Sequence, residues 1–136
     1  MMKRLFENST FSLDYDESKS LIVQRWFGDL DEKQYKENML ILVEWVQQLP
    51  PVHFNIVYPN LTFPIAPDLQ EWTAENVFIP TKHKGLKKAA FIVPQEVYEQ
   101  IIIEFLSIEQ TMEKSQNLFE TKYFISEQEA FQWFNT

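Results

Sequence analysis

Cysteine is missing from this chain, and glycine occurs only twice, at Gly28 and Gly85. Without thiols there are no disulfides, no thiolate nucleophiles and no cysteine-held iron–sulfur clusters. Two isolated glycines cannot let several backbone N–H groups close on a phosphate, so neither a dinucleotide fingerprint nor a Walker loop can be assembled. Histidine is nearly as scarce. His53 and His83 lie far apart, with no paired-ligand spacing, and no metal or cofactor is expected. Cations are also short: 12 Lys and Arg face 20 Asp and Glu, a net charge of −8. Nucleic acid and anionic membrane surfaces are poor partners for such a chain, because both are held by basic side chains. No stretch approaches the roughly 18 consecutive apolar residues of a membrane span. The opening Met1-Met2-Lys3-Arg4-Leu5-Phe6-Glu7 has a basic start with no apolar run behind it, which reads against a signal peptide. A cytoplasmic location is the expectation.

What is present belongs to a folded globule. Hydrophobic residues make up 45% of the chain and aromatics 15%, far above the composition of disordered segments. A length of 136 residues gives one domain, 1–136, with one respectable core. No internal repeat, low-complexity tract or linker interrupts it.

Hydrophobic periodicity divides the chain into strands and helices. Thr10 to Asp14 alternates and Leu21 to Trp26 is rich in β-formers, and the polar turn 15–20 between them predicts an antiparallel hairpin. Gly28 ends the second strand. A long helix is predicted from Asp31 to Leu49, with Tyr35, Met39, Leu42, Val43, Val46 and Leu49 on one stripe and Pro50-Pro51 as its stop. Leu40, Ile41 and Trp45 widen the apolar face beyond that stripe, which leaves two uses open: burial within the fold, or a surface for a partner or a second copy. Val52 to Tyr58 reads as a third strand, and Pro67 opens a short helix that runs to about Val77. Thr81 to Lys88 is a basic segment in an acidic chain, read as a solvated loop with an anion site as the alternative.

Lys88-Ala-Ala-Phe-Ile-Val-Pro94 has no polar alternation, as expected of a strand buried on both faces within a parallel sheet. A helix over Gln95 to Met112, an edge strand over Leu118 to Ile125 and a final helix follow. Ser126 and Glu129 form the pattern of a capping box, with Ile125 set to staple onto Ala130. The predicted fold is α/β: a mixed, mostly parallel sheet with an N-terminal antiparallel hairpin, in the order β-β-α-β-α-β-α-β-α.

In their order, Phe11-Ser-Leu-Asp-Tyr-Asp16, Trp26-Phe27-Gly28, Gln70-Glu-Trp72, Gly85 to Val93, Ser107 to Met112 and Phe124 to Trp133 resemble the small bacterial STAS-like proteins. These are related in fold to anti-sigma-factor antagonists and to CRAL-TRIO lipid-binding domains. The resemblance covers most of the chain from Phe11 onwards and implies a β/α superhelix and a regulatory module that binds a protein. In the antagonists a Ser or Thr at the start of the helix after the third strand is phosphorylated. Here Asn60 to Asp68 offers only Thr62, several residues before the helix and with no Asp before it, so the switch residue is expected to be missing.

Three functions are weighed on this basis. A non-catalytic protein-interaction module comes first, with Trp26, Phe27, Leu40, Ile41, Trp45, Thr62 and Trp72 as its candidate surface. Trp26 and Phe27 are chosen because α/β sheets gather ligands at strand ends. A carrier of a small apolar ligand held between sheet and helices is the alternative, and it needs a pocket of at least ~300 Å³. An enzyme would have to use His53 with Glu71 or Asp68, or His83 among its lysines, and nothing in the spacing brings these together. No catalytic residue is expected.

Overall fold

The computed structural model describes residues 1–103 and 118–136. Six strands form one sheet: β1 (Lys3–Glu7), β2 (Phe11–Asp16), β3 (Leu21–Trp26), β4 (Phe54–Tyr58), β5 (Lys88–Ile92) and β6 (Glu120–Phe124). Their order across the sheet is their order along the chain. β1, β2 and β3 are antiparallel neighbours, and β3, β4, β5 and β6 are parallel. Helix α1 (Glu32–Gln48) follows β3, α2 (Pro67–Thr73) follows β4, α3, described over 95–103, follows β5, and α4 (Glu127–Phe134) follows β6. The α/β reading and the hairpin therefore hold, with one addition. β1 precedes the hairpin, making the opening β-β-β rather than β-β. The predicted helix over Gln95 to Met112 is seen as far as residue 103, and its remainder lies outside the described residues.

Local chemistry sets the element ends. At the start of α1 the Asp31 carboxylate accepts from the Gln34 backbone N–H at 2.7 Å, and the Gln34 side chain accepts from the Asp31 N–H at 3.0 Å. This reciprocal box satisfies two donors that a bare helix start leaves orphaned. The helix ends at Leu49, before Pro50 and Pro51. In α4 the Ser126 hydroxyl accepts from the Glu129 N–H at 3.4 Å. The basic segment supplies caps at the other ends. Lys84 donates its ammonium to the Leu49 carbonyl at the end of α1, and Lys88 donates to the Trp133 carbonyl of α4 at 2.8 Å. Both cations face the negative ends of helix dipoles, a structural use for two of the residues read as loop or anion site.

The two sheet faces carry separate cores. On one, Phe11, Leu13 and Tyr15 of β2, Ile22 and Trp26 of β3 and Val57 of β4 pack against Tyr35, Met39, Leu42 and Val46 of α1, and Leu69 of α2 joins them. On the other, Leu21, Val23, Ile56 and Ala90 meet Ala130, Trp133 and Phe134 of α4. β5 lies between β4 and β6 with Ala89 and Ala90 buried, as its unbroken apolar run requires.

Among the described residues, buried polar side chains are paired. Asn38, midway along α1, donates to the Thr10 hydroxyl at 2.9 Å and accepts from Asn8 at 2.8 Å. Asp14 on β2 accepts from Arg4 of β1 and from Arg25 of β3, each at 2.6 Å. β1 thus contributes a cation to a carboxylate that would otherwise be buried with one partner.

Candidate interaction surface at the carboxyl ends of the parallel strands

All four parallel strands finish at one end of the molecule, and the loops after β3 and β4 are fastened to each other there. Gly28 turns the chain out of β3 with φ of +71°, and a Cβ at this position would sit 2.8 Å from the Ser9 carbonyl oxygen. Only glycine tolerates both the left-handed backbone and the close approach. Asn60 organises the next loop. Its side-chain carbonyl accepts from the Thr62 N–H at 3.0 Å and from the Thr62 hydroxyl at 2.7 Å, while its amide donates to the Gly28 carbonyl at 3.0 Å.

The loop from Pro59 to Ala66 then divides its apolar residues. Phe63 turns inward and stacks on Tyr35 at 5.7 Å between ring centres. Leu61 and Ile65 stay outside, at 50% and 38% exposure, and Phe27 across the Asn60–Gly28 bond is 38% exposed. Gln70 of α2 holds the Ile65 carbonyl at 2.8 Å. Prolines at 59 and 64 disfavour helix and sheet in this stretch, so its large side chains have no regular element to fold behind. Asp29, Asp31, Glu32, Asp68 and Glu71 stand on the same two connections and the helix starts they lead into.

The candidates taken from the sequence separate on this geometry. Phe27 belongs to the surface just described. Trp26 does not: it is buried, donates its indole N–H to Gln24 at 3.2 Å and packs on Phe11 at 4.3 Å and Tyr35 at 5.3 Å. Its place at a strand end suggested exposure, but strand parity sets it beside Ile22 on the helix-covered face. Leu40 is exposed, whereas Ile41 and Trp45 are half-buried and Trp45 packs against the first core, so the three form no open apolar cluster. Trp72 is half-buried, with the Lys36 ammonium 5.3 Å above its ring. Thr62 is exposed and makes the local bond to Asn60. Leu61, Ile65 and Asn60 were missed from sequence, although a proline-punctuated loop containing three large apolar residues was the available signal.

The chain matches no family model, no curated protein and no solved structure.

His53 precedes β4, while Asp68 opens the helix that follows it, so the two lie toward opposite ends of that strand. The His53 ring instead lies against Gly85. Among the described residues no three His, Asp or Glu side chains gather as a metal site. Two tyrosines are perturbed. Burial pushes the Tyr35 hydroxyl up to about 12, against a smaller opposing effect of its bond to Thr73. Burial and the neighbouring Glu127 carboxylate push Tyr58 up to about 12 as well, although the Arg25 guanidinium lies over its ring. Both phenols keep their protons at neutral pH.

Ligand crevices in open α/β sheets form where the strand order reverses and neighbouring connections leave on opposite faces. β3 to β6 run in sequence without such a reversal. A cavity does open near the other end, lined by Leu42, Val46, Val52, Asn55, Val77 and Phe78, with a volume of about 30 Å³. That is room for one or two waters, an order of magnitude short of what a small apolar ligand needs. No helix among the described residues is long and apolar enough to cross a membrane.

Proposed function

We propose that this chain is a STAS-like, non-catalytic interaction module that binds a protein partner through Phe27, Leu61 and Ile65 at the carboxyl ends of its parallel strands. The observation that carries the reading is the exposure of these three apolar side chains on two connections locked together by Asn60. Burying them on a partner would remove apolar surface from water on a preformed scaffold, with little ordering of the loop left to do. Kinship with the STAS-like proteins is supported by the ordered sequence pieces and by a mixed sheet with an N-terminal antiparallel hairpin. Thr62, tied to Asn60 and remote from the start of α2, gives no support to phosphoryl switching, so the module is taken to act by non-covalent contact alone. A cytoplasmic setting is part of the proposal and rests on a composition that needs no oxidative pairing.

Site-specific photocrosslinking in cells tests this. A benzophenone side chain at position 61 should give a discrete adduct that the same group at Glu44, exposed on α1, does not give. Equal adduct patterns from both positions, or none from position 61, would refute the assignment.

A further inference from the structure

Acids gather at the starts of the helices, and their placement points to the chemistry of the partner. Among the described residues, three helices that start at the end where the parallel strands finish bring acids in their first turns or caps: Asp31 and Glu32 on α1, Asp68 on α2, Glu127 and Glu129 on α4. The last turns of α1 and α4 lie at the opposite end, where Lys84 and Lys88 cap them. Helix dipoles account for both placements. Between residues 37 and 81 the sequence contains no Lys or Arg, yet it has Glu37, Glu44, Asp68, Glu71 and Glu75. On the first turns of α1, Lys36 is engaged with Glu32 and with the Trp72 ring.

Resting on the interaction reading above, we infer that the patch of Phe27, Leu61 and Ile65 docks a cationic segment with apolar anchors on its partner protein. Apolar burial at three exposed side chains would supply the affinity. The acids around them would steer a basic segment in, fix its register and turn away acidic competitors. A second copy of this chain is a weaker fit, because each copy brings a net charge of −8 to the encounter.

A synthetic Leu/Lys amphipathic peptide tests the chemistry, beside a Leu/Glu counterpart and a Ser/Lys peptide of equal charge. Backbone amide spectra of the ¹⁵N-labelled full chain report where each one lands. The Leu/Lys peptide should move Phe27, Leu61 and Ile65, the other two peptides should not, and Leu61→Ser should weaken binding about tenfold. Ile79→Ser, a change to an exposed apolar residue outside the patch, should leave binding within about twofold. Leu61 is half exposed, so its replacement leaves the cores intact.

Equal binding of the Leu/Glu peptide, or shifts centred on Glu37 and Glu44 that ignore Leu61→Ser, would overturn the inference. So would self-association abolished by Leu61→Ser, seen by sedimentation without any peptide. If position 61 crosslinks to a partner in cells through an acidic or uncharged segment, the cationic assignment fails while the interaction reading stands.

Discussion

Asn38 is a polar residue in the middle of a core-facing helix, and its replacement by alanine tests whether the α1 to β-hairpin junction is held by hydrogen bonding. The side chain is almost fully buried and makes two bonds, to Thr10 and Asn8. The Thr10 bond is the costly one to lose, because Thr10 is itself buried and keeps only a long 3.4 Å contact to Asn8. Asn8 is exposed and can turn to water. We assign about 1–1.5 kcal/mol to the first bond and about 0.5–1 kcal/mol to the second. Alanine recovers about 0.6 kcal/mol through its better helix propensity. The net loss expected for Asn38→Ala is therefore ~1.5 kcal/mol. At an unfolding entropy of ~2.1 cal/mol/K per residue over 136 residues, this lowers Tm by ~5 °C. Urea denaturation and calorimetry measure both quantities, and a double-mutant cycle with Thr10→Val should return a coupling of ~1 kcal/mol. A loss under ~0.5 kcal/mol, or additive single and double variants, would show that shape complementarity alone holds the junction.

The two glycines should respond unequally to alanine. Both have positive φ, but a Cβ at Gly28 meets a backbone carbonyl at 2.8 Å while at Gly85 it meets the His53 ring at 3.5 Å, an ordinary contact. Gly85→Ala should cost ~1 kcal/mol and Gly28→Ala at least ~1 kcal/mol more by urea denaturation, and equal losses would contradict the close approach. Tyr35 and Tyr58 predict a pH dependence. Their folded hydroxyls titrate near 12 against 10 for an ordinary tyrosine, so their contribution to stability is constant below about pH 10. Between pH 10 and 12 the unfolded chain releases these protons while the folded one holds them, and stability must fall. Urea midpoints across that window measure the fall, and Tyr35→Phe should flatten it; an unchanged slope would exclude Tyr35 as a source.

Regular elements were legible wherever one periodicity dominated. The α1 stripe, the Pro50-Pro51 stop, the unbroken apolar run of β5 and the Ser126 start of α4 each rest on residues close in sequence. β1 was not legible, because Lys3-Arg-Leu-Phe-Glu7 has only two apolar residues between charges, and its place depends on pairing with β2. The same gap concealed how Asp14 is satisfied, since one of its two cations comes from that strand. Trp26 could have been placed by parity with Ile22, and position at a strand end was the weaker guide. Leu61 and Ile65 were harder to see. Their exposure follows from Asn60 reaching back to Gly28, a contact between loops 32 residues apart that no local pattern encodes.

The sequential strand order has a consequence for how the chain is made. Each strand, as it leaves the ribosome, finds its sheet neighbour already synthesised, so the sheet can grow outward from β1 and β2 one edge at a time. No strand has to wait for a later one to fill a gap beside it, and none has to insert between two that are already joined. Each parallel addition closes a loop only to the strand made just before it, and loop-closure entropy grows slowly with the length of that connection.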